Sequence, residues 1–151
     1  MSTTAHITDD VLAGLVDRAD DAVIIADAAG TIQYWNAASE RMFGYSREQA
    51  IGSSLDLIIP EKLRDRHWEG YWRVMATGRT ACAGRMLAVP ALRADGSRIS
   101  IEFTVTLLHD PTGAVQGIGA ILRDVTERWM QQRTLQREVQ ELKRRLARFE
   151  S

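Results

Sequence analysis

The sequence predicts an α+β fold in which an antiparallel sheet carries a helical flank, with a short helix before it and a long one after it. Three observations lead there. Apolar, β-branched runs at 22–35 and again at 85–122 read as strands. Between them, residues 36–77 carry helix caps and helix stops instead of strand alternation. After Asp124 no Gly or Pro occurs to the end of the chain. Strands grouped on either side of a helical block argue for one antiparallel sheet whose apolar face that block covers.

Thr8-Asp9-Asp10 caps a short first helix whose stripe is Val11, Leu12, Leu15 and Val16. Ala22-Val23-Ile24-Ile25-Ala26 is the first strand, and Asp27-Ala28-Ala29-Gly30 is a turn signal. Thr31 to Trp35 returns as the second strand, so 22–35 reads as a hairpin. Asn36 caps a helix carrying Ala37, Ala38, Met42 and Phe43, which stops at Gly44. Ser46-Arg47-Glu48-Gln49 has the form of a capping box and opens a short helix ended by Gly52. Pro60 stands at a helix start, and 61–77 supplies four turns before Gly78. Residues 85–93 form an edge strand or bulge because of Pro90. Asp95-Gly96 is a hairpin turn. Ile99, Ile101, Phe103, Val105 and Leu107 then alternate with polar residues, the cleanest strand pattern in the chain. Asp110-Pro111-Thr112-Gly113 turns into the last strand, Ala114 to Leu122.

The chain's 151 residues suit one domain with a helical extension, and 45% hydrophobic residues suffice for a core. A net charge of -1 gives no signature for nucleic acid or an anionic membrane. The charge is uneven: residues 1–30 hold six Asp and one Arg, while 123–151 hold eight Lys/Arg and five Asp/Glu, the mark of a solvated helix. A single cysteine, Cys82, excludes an internal disulfide and fits a reducing compartment. No apolar run nears the ~20 residues of a membrane span, and the N-terminus lacks a signal peptide's features, so a cytoplasmic protein is expected. No phosphate loop, nucleophile elbow or paired-His metal spacing is present, so catalysis is not expected. Asp17, Asp20 and Asp21 read as the end of a solvated helix.

Several ordered motifs carry a family resemblance. They are Asp27-Ala28-Ala29-Gly30-Thr31-Ile32; Trp35-Asn36-Ala37-Ala38-Ser39-Glu40-Arg41-Met42-Phe43-Gly44-Tyr45-Ser46; Ala50-Ile51-Gly52; Ile59-Pro60; Arg93-Ala94-Asp95-Gly96-Ser97; and Arg123-Asp124-Val125-Thr126-Glu127-Arg128. In this order, from 19 to 128, they resemble the PAS domain superfamily. The resemblance implies a five-stranded antiparallel sheet with a helical flank enclosing a pocket, and a role in sensing or dimerisation. It divides the chain into a cap helix (1–18), a sensor domain (19–124) and a signalling helix (125–151). Asp27 and Asn36 read as turn and cap residues in their own right.

Within that superfamily, Ile58-Ile59-Pro60-Glu61-Lys62-Leu63-Arg64-Asp65-Arg66-His67 resembles the heme-binding PAS domains of oxygen-sensing kinases and phosphodiesterases. The resemblance implies heme b with His67 as axial metal ligand, and gas or redox sensing. His67 lies 28 residues before the Asp95-Gly96 turn, similar to the family spacing. Leu63, His67, Tyr71 and Val74 share one helix face, so His67 can point at the sheet. Arg73 matches a position where a cation meets a heme propionate. An apolar wall is available from Leu87, Val89, Phe103, Val105, Ile118 and Ile121, with Gly117, Gly119 and Ala120 leaving room for a ligand or marking a bulge. Where oxygen-binding relatives carry a distal Arg, this sequence has Leu87. Arg85 points to the same side two residues earlier and is the candidate distal donor, with a salt bridge or solvent as its alternatives. A packed or surface role for His67 is the plainer reading of a lone histidine. His6 and His109 read as terminal and turn residues.

The reactive cysteine of photoadduct flavin domains is missing, since Leu55 stands near its place. Non-covalent flavin, a fatty acid, a small aromatic ligand or a pocket filled by its own side chains all remain compatible. A cofactor-free interaction and dimerisation module is the alternative to the sensor. In the last helix Leu135, Val139, Leu142, Leu146 and Phe149 repeat at four, three, four, three, a heptad seam. The expected partners are a second copy, through the PAS domain and a short parallel coiled coil, and a downstream signalling protein or domain. No nucleic-acid or membrane partner is expected.

Overall fold

A computed structural model of the chain describes residues 6–80 and 85–150. Among these residues five α-helices and five strands follow in the order α1 (Asp9–Arg18), β1 (Ala22–Asp27), β2 (Ile32–Trp35), α2 (Ala37–Phe43), α3 (Arg47–Ala50), α4 (Arg64–Thr77), β3 (Leu87–Leu92), β4 (Arg98–His109), β5 (Val115–Asp124) and α5 (Thr126–Glu150). The strands form one antiparallel sheet in the order β2-β1-β5-β4-β3. The first and last strands therefore pair in the middle, and the helical block spans the sheet from β2 to β3.

Local chemistry explains the boundaries. Thr8 caps α1 by accepting from the Val11 amide, and Ser46 and Gln49 complete a capping box on α3. Gly44 ends α2 with φ of 82°, a left-handed conformation that favours glycine. The expected 61–77 helix is divided: Glu61–Leu63 is a 3-10 turn, in which the Leu63 amide reaches the Pro60 carbonyl, and only from Arg64 is the helix α. Thr31 drops out of β2 and bridges Ser54 instead.

Asn36 does more than cap α2. It is fully buried; its Oδ1 accepts from the Val23 amide and from the amide and hydroxyl of Ser39, while its Nδ2 donates to the Val16 and Asp21 carbonyls. One amide thus joins α1, β1 and α2.

Register assigns each sheet residue to a face. Ala22, Ile24 and Ala26 pair with Leu122, Ala120 and Ile118, which in turn pair with Phe103, Val105 and Leu107. These are inner residues, and the core gathers where Trp35, Phe43, Ile32, Ile58, Ile99 and Ile101 pack on that face. Ile121 was expected in the inner wall. It pairs instead with Val23 and Thr104 on the outer face, one step off the Ile118–Ala120–Leu122 alternation, and is 52% exposed.

The small residues of β5 were expected to leave room for a ligand or to mark a bulge. A Cβ on Gly117 would lie 2.2 Å from the Ala26 carbonyl oxygen, so close strand approach requires glycine there, next to an irregularity at Leu108/His109. Gly119 pairs with Ile25 and Thr106 on the outer face. Of the three small residues, only Ala120 faces the helical block.

Candidate functional site

The inner face divides into two halves. Ala22, Ile24, Ala91, Ile99, Ile101 and Leu122 are buried. Leu87, Phe103, Val105, Leu107, Ile118 and Ala120 stay half-buried. The incompletely covered half holds the expected wall residues Leu87, Phe103, Val105, Ile118 and Ala120. Register brings them together, Leu87 opposite Phe103 and Val105 opposite Ala120. Val89 shares their face at 39% exposure.

Helix α4 crosses the end of β1 and the start of β5. The buried Tyr71 donates its hydroxyl to the Asp27 carbonyl, and Gly78 at the helix end lies near the Val115 side chain. The Tyr71 hydroxyl is pushed up to about 12 by burial and then by the nearby Asp27 carboxylate. Trp68 donates Nε1–H to the Asp56 carboxylate at 2.7 Å. Its six-membered ring lies against Gly30, where a Cβ would come within 2.2 Å of two ring carbons. Gly30 has φ of 81°, so both the turn and the indole demand glycine.

His67 stands between these anchors. Its ring meets Trp68 edge-on at 4.7 Å and Tyr71 at 5.7 Å. Its Nδ1 is buried without a hydrogen-bond partner. Burial lowers its pKa below the ordinary histidine value, with Asp56 opposing more weakly, so the imidazole is neutral at pH 7. A neutral imidazole with an unused nitrogen is the form that ligates a metal. Among the described residues no three metal-ligating side chains gather.

The remaining candidates lie apart from this cluster. Val74 is half-buried on α4. Arg73 points to solvent and pairs with Glu69 at 3.4 Å on its own helix. Arg85 precedes β3 and is exposed. Cys82 lies outside the described residues. Sequence reasoning missed Trp68, Trp72 and Asp56. The i,i+4 spacing of the two tryptophans, whose rings stack at 5.3 Å, was the available signal. The meeting of Trp68 with Gly30 and Asp56 needed the fold.

The route out of the domain is the junction of β5 and α5. The Val125 amide donates to the Ser100 carbonyl, and the Ser100 amide donates to the Thr126 hydroxyl. Asp124 accepts from both the amide and the hydroxyl of Thr126, and Arg128 pairs with Glu102 on β4. Beyond this root, the residues of α5 are exposed up to Glu150.

The model of the PAS fold matches residues 12–125. The chain belongs to the PAS family. PAS relatives include the sensor protein FixL of Bradyrhizobium diazoefficiens, 30% identical over 125 residues, covering 83% of this chain and 24% of the relative. The oxygen sensor protein DosP of Escherichia coli is 31% identical over 75 residues, covering 50% of this chain and 9% of the relative. The chain thus spans a quarter or less of the length of these relatives. Among solved structures, a PAS domain from Colwellia psychrerythraea is similar with a TM-score of 0.68 at 25% identity, covering 78% of this chain and 97% of that one. PAS domains are typically sensory, non-catalytic modules of signal transduction, and no catalytic family is shown for this chain. No helix among the described residues is long and apolar enough to cross a membrane.

Proposed function

We propose that this PAS chain is a sensory module that holds heme b through His67 and passes the state of the bound group to α5. The observation that carries the reading is the buried, unpartnered Nδ1 of a neutral His67, in a domain that also keeps an incompletely covered apolar sheet face. Leu87, Phe103, Val105, Ile118 and Ala120 supply the apolar contact that a flat macrocycle needs, with Val74 from α4. Tyr71 holds the helix in place through Asp27, which fixes where His67 stands. Arg73 and Arg85, both solvent-facing, suit the rim, Arg73 for a propionate and Arg85 for a distal hydrogen bond. Were heme bound there, it would supply an iron able to bind a diatomic gas, with His67 as its protein ligand. The oxygen-sensor name of one relative is consistent with that ligand class.

The same reading assigns 1–18 as cap, 19–124 as sensor and 125–151 as signalling helix. It places the module in the cytoplasm as a homodimer whose last helices address a downstream signalling protein or domain. The test is a hemin titration of the purified protein followed by absorption. One heme per chain with a sharp Soret band, lost or shifted in His67→Ala, supports the reading. Weak, non-stoichiometric uptake indifferent to the substitution overturns it.

A second reading has its own observation. Trp68 and Tyr71 close α4 onto the β1–β2 turn with the protein's own side chains. This favours a cofactor-free dimerisation module or a sensor of a smaller organic ligand, and the same titration separates the two.

A further inference from the structure

Helix α5 leaves the sheet domain with its apolar seam uncovered. Leu135, Val139, Leu142, Leu146 and Phe149 are 59%, 47%, 62%, 62% and 89% exposed. Most helical stability in proteins comes from packing of an amphipathic face, so a covering partner would stabilise α5. The spacing sets Val139 and Leu146 at a positions and Leu135, Leu142 and Phe149 at d. Val139 at a with Leu135 and Leu142 at d fits the pattern of two parallel strands, from which Leu146 at a and Phe149 at d depart.

The flanking charges then fall into a code. Glu138 and Arg145 occupy g; Lys143 and Glu150 occupy e. In an in-register parallel pair, each g residue faces the e residue five positions on in the other helix. Glu138 thus meets Lys143, Arg145 meets Glu150, and two-fold symmetry makes each pair twice. Arg145 already pairs with Glu141 on its own helix at 3.4 Å, so it has a charged neighbour on either side of the seam. An antiparallel pair sets g against g and e against e, and the Glu138–Lys143 contact is not made. The upper limit of the pairing is also visible. Arg128 and Gln132 stand at the preceding seam positions, and Arg128 is engaged by Glu102 of its own sheet.

We infer that α5 from Leu135 onward pairs in parallel and in register with α5 of a second copy, selected by the Glu138–Lys143 and Arg145–Glu150 contacts, while the root above it stays bound to its own domain. The inference rests on the parallel homodimer reading above and adds its register and the residues that select the partner.

The test uses the whole chain. Lys143→Glu places two acidic residues face to face, and Glu138→Lys two basic ones. Each variant alone is expected to dissociate about tenfold more readily than wild type, since two attractions become repulsions. Mixed together, the two variants restore attraction and form a heterodimer of wild-type strength, read by sedimentation. In a Cys82→Ser background, Leu135→Cys is expected to give a disulfide-linked dimer on mild oxidation, because d residues adjoin in a parallel pair. An antiparallel pair centred on Leu142 would hold those sulfurs about 20 Å apart. A dimer indifferent to both charge changes, or one in which Leu135→Cys does not cross-link, overturns the inference and leaves the homodimer reading standing. A monomeric wild-type chain at every concentration overturns both.

Discussion

Asn36 and His67 are both polar and both shielded, and they contrast in how their polar atoms are used. Asn36 bonds at both ends of its amide to four backbone groups and a hydroxyl. Asn36→Ala leaves several of these unpaired in the interior and is expected to cost about 3–5 kcal/mol in urea unfolding, with Asn36→Asp also harmful because it loses both donated bonds. His67 has a nitrogen with no partner, and burial holds the ring neutral. Its folded pKa lies below the unfolded value of 6.5, so as pH falls past that value the unfolded chain takes up a proton that the folded chain refuses. Stability therefore falls with pH in the window at and just below 6.5, and His67→Gln should remove this part of the slope in pH-dependent denaturation. Asp17 has the same sign in a more acid window: hydrogen bonds from Tyr34 and then Arg47 hold its carboxyl below the usual range, so its contribution too fades as pH falls.

At the scale of elements, the attachments of α4 and α5 differ in kind. Helix α4 is seated by shape, with the Trp68 indole against Gly30. Gly30→Val should unseat it, since both the left-handed backbone and the indole contact oppose a side chain. The expected result is a changed tryptophan emission and near-UV circular dichroism with the sheet signal retained. Helix α5 is seated by polar contacts at its first turn. The Arg128–Glu102 pair is partly exposed, with Arg128 56% and Glu102 25% exposed, so Glu102→Gln should change global stability by less than about 1 kcal/mol. Amide exchange in the first turn of α5 should nonetheless quicken, because the pair restrains local opening.

These elements also show what the sequence carried. Caps at Thr8, Asn36 and Ser46, the stop at Gly44 and the alternation of β4 were legible because each depends on neighbours a few residues away. Ile121 was misassigned because β5 has apolar residues on both faces, so hydrophobicity could not choose between them. Gly117 was read as space for a ligand or the mark of a bulge; the irregularity lies beside it on β4, and its close contact is with β1, which only the strand pairing reveals. The expected wall residues Leu87, Phe103, Val105, Ile118 and Ala120 do share a face, since period-two alternation survives across paired strands. Trp68 escaped notice because its partners lie 12 and 38 residues away in sequence.

For the whole molecule, the pairing of β1 with β5 places Ala22 beside Leu122. The chain enters and leaves the sheet at one end of one ladder, and Arg123 joins Asp21 across that end at 3.1 Å. Tension applied through α1 and α5 would load this ladder at its extremity and open its hydrogen bonds one after another, beginning at Ala22 and Leu122. The bonds lie perpendicular to the strands, so they would unzip instead of shearing together. Set within a longer polypeptide, the domain would behave as a mechanically compliant side-loop, yielding at low force while its two tethers remain neighbours.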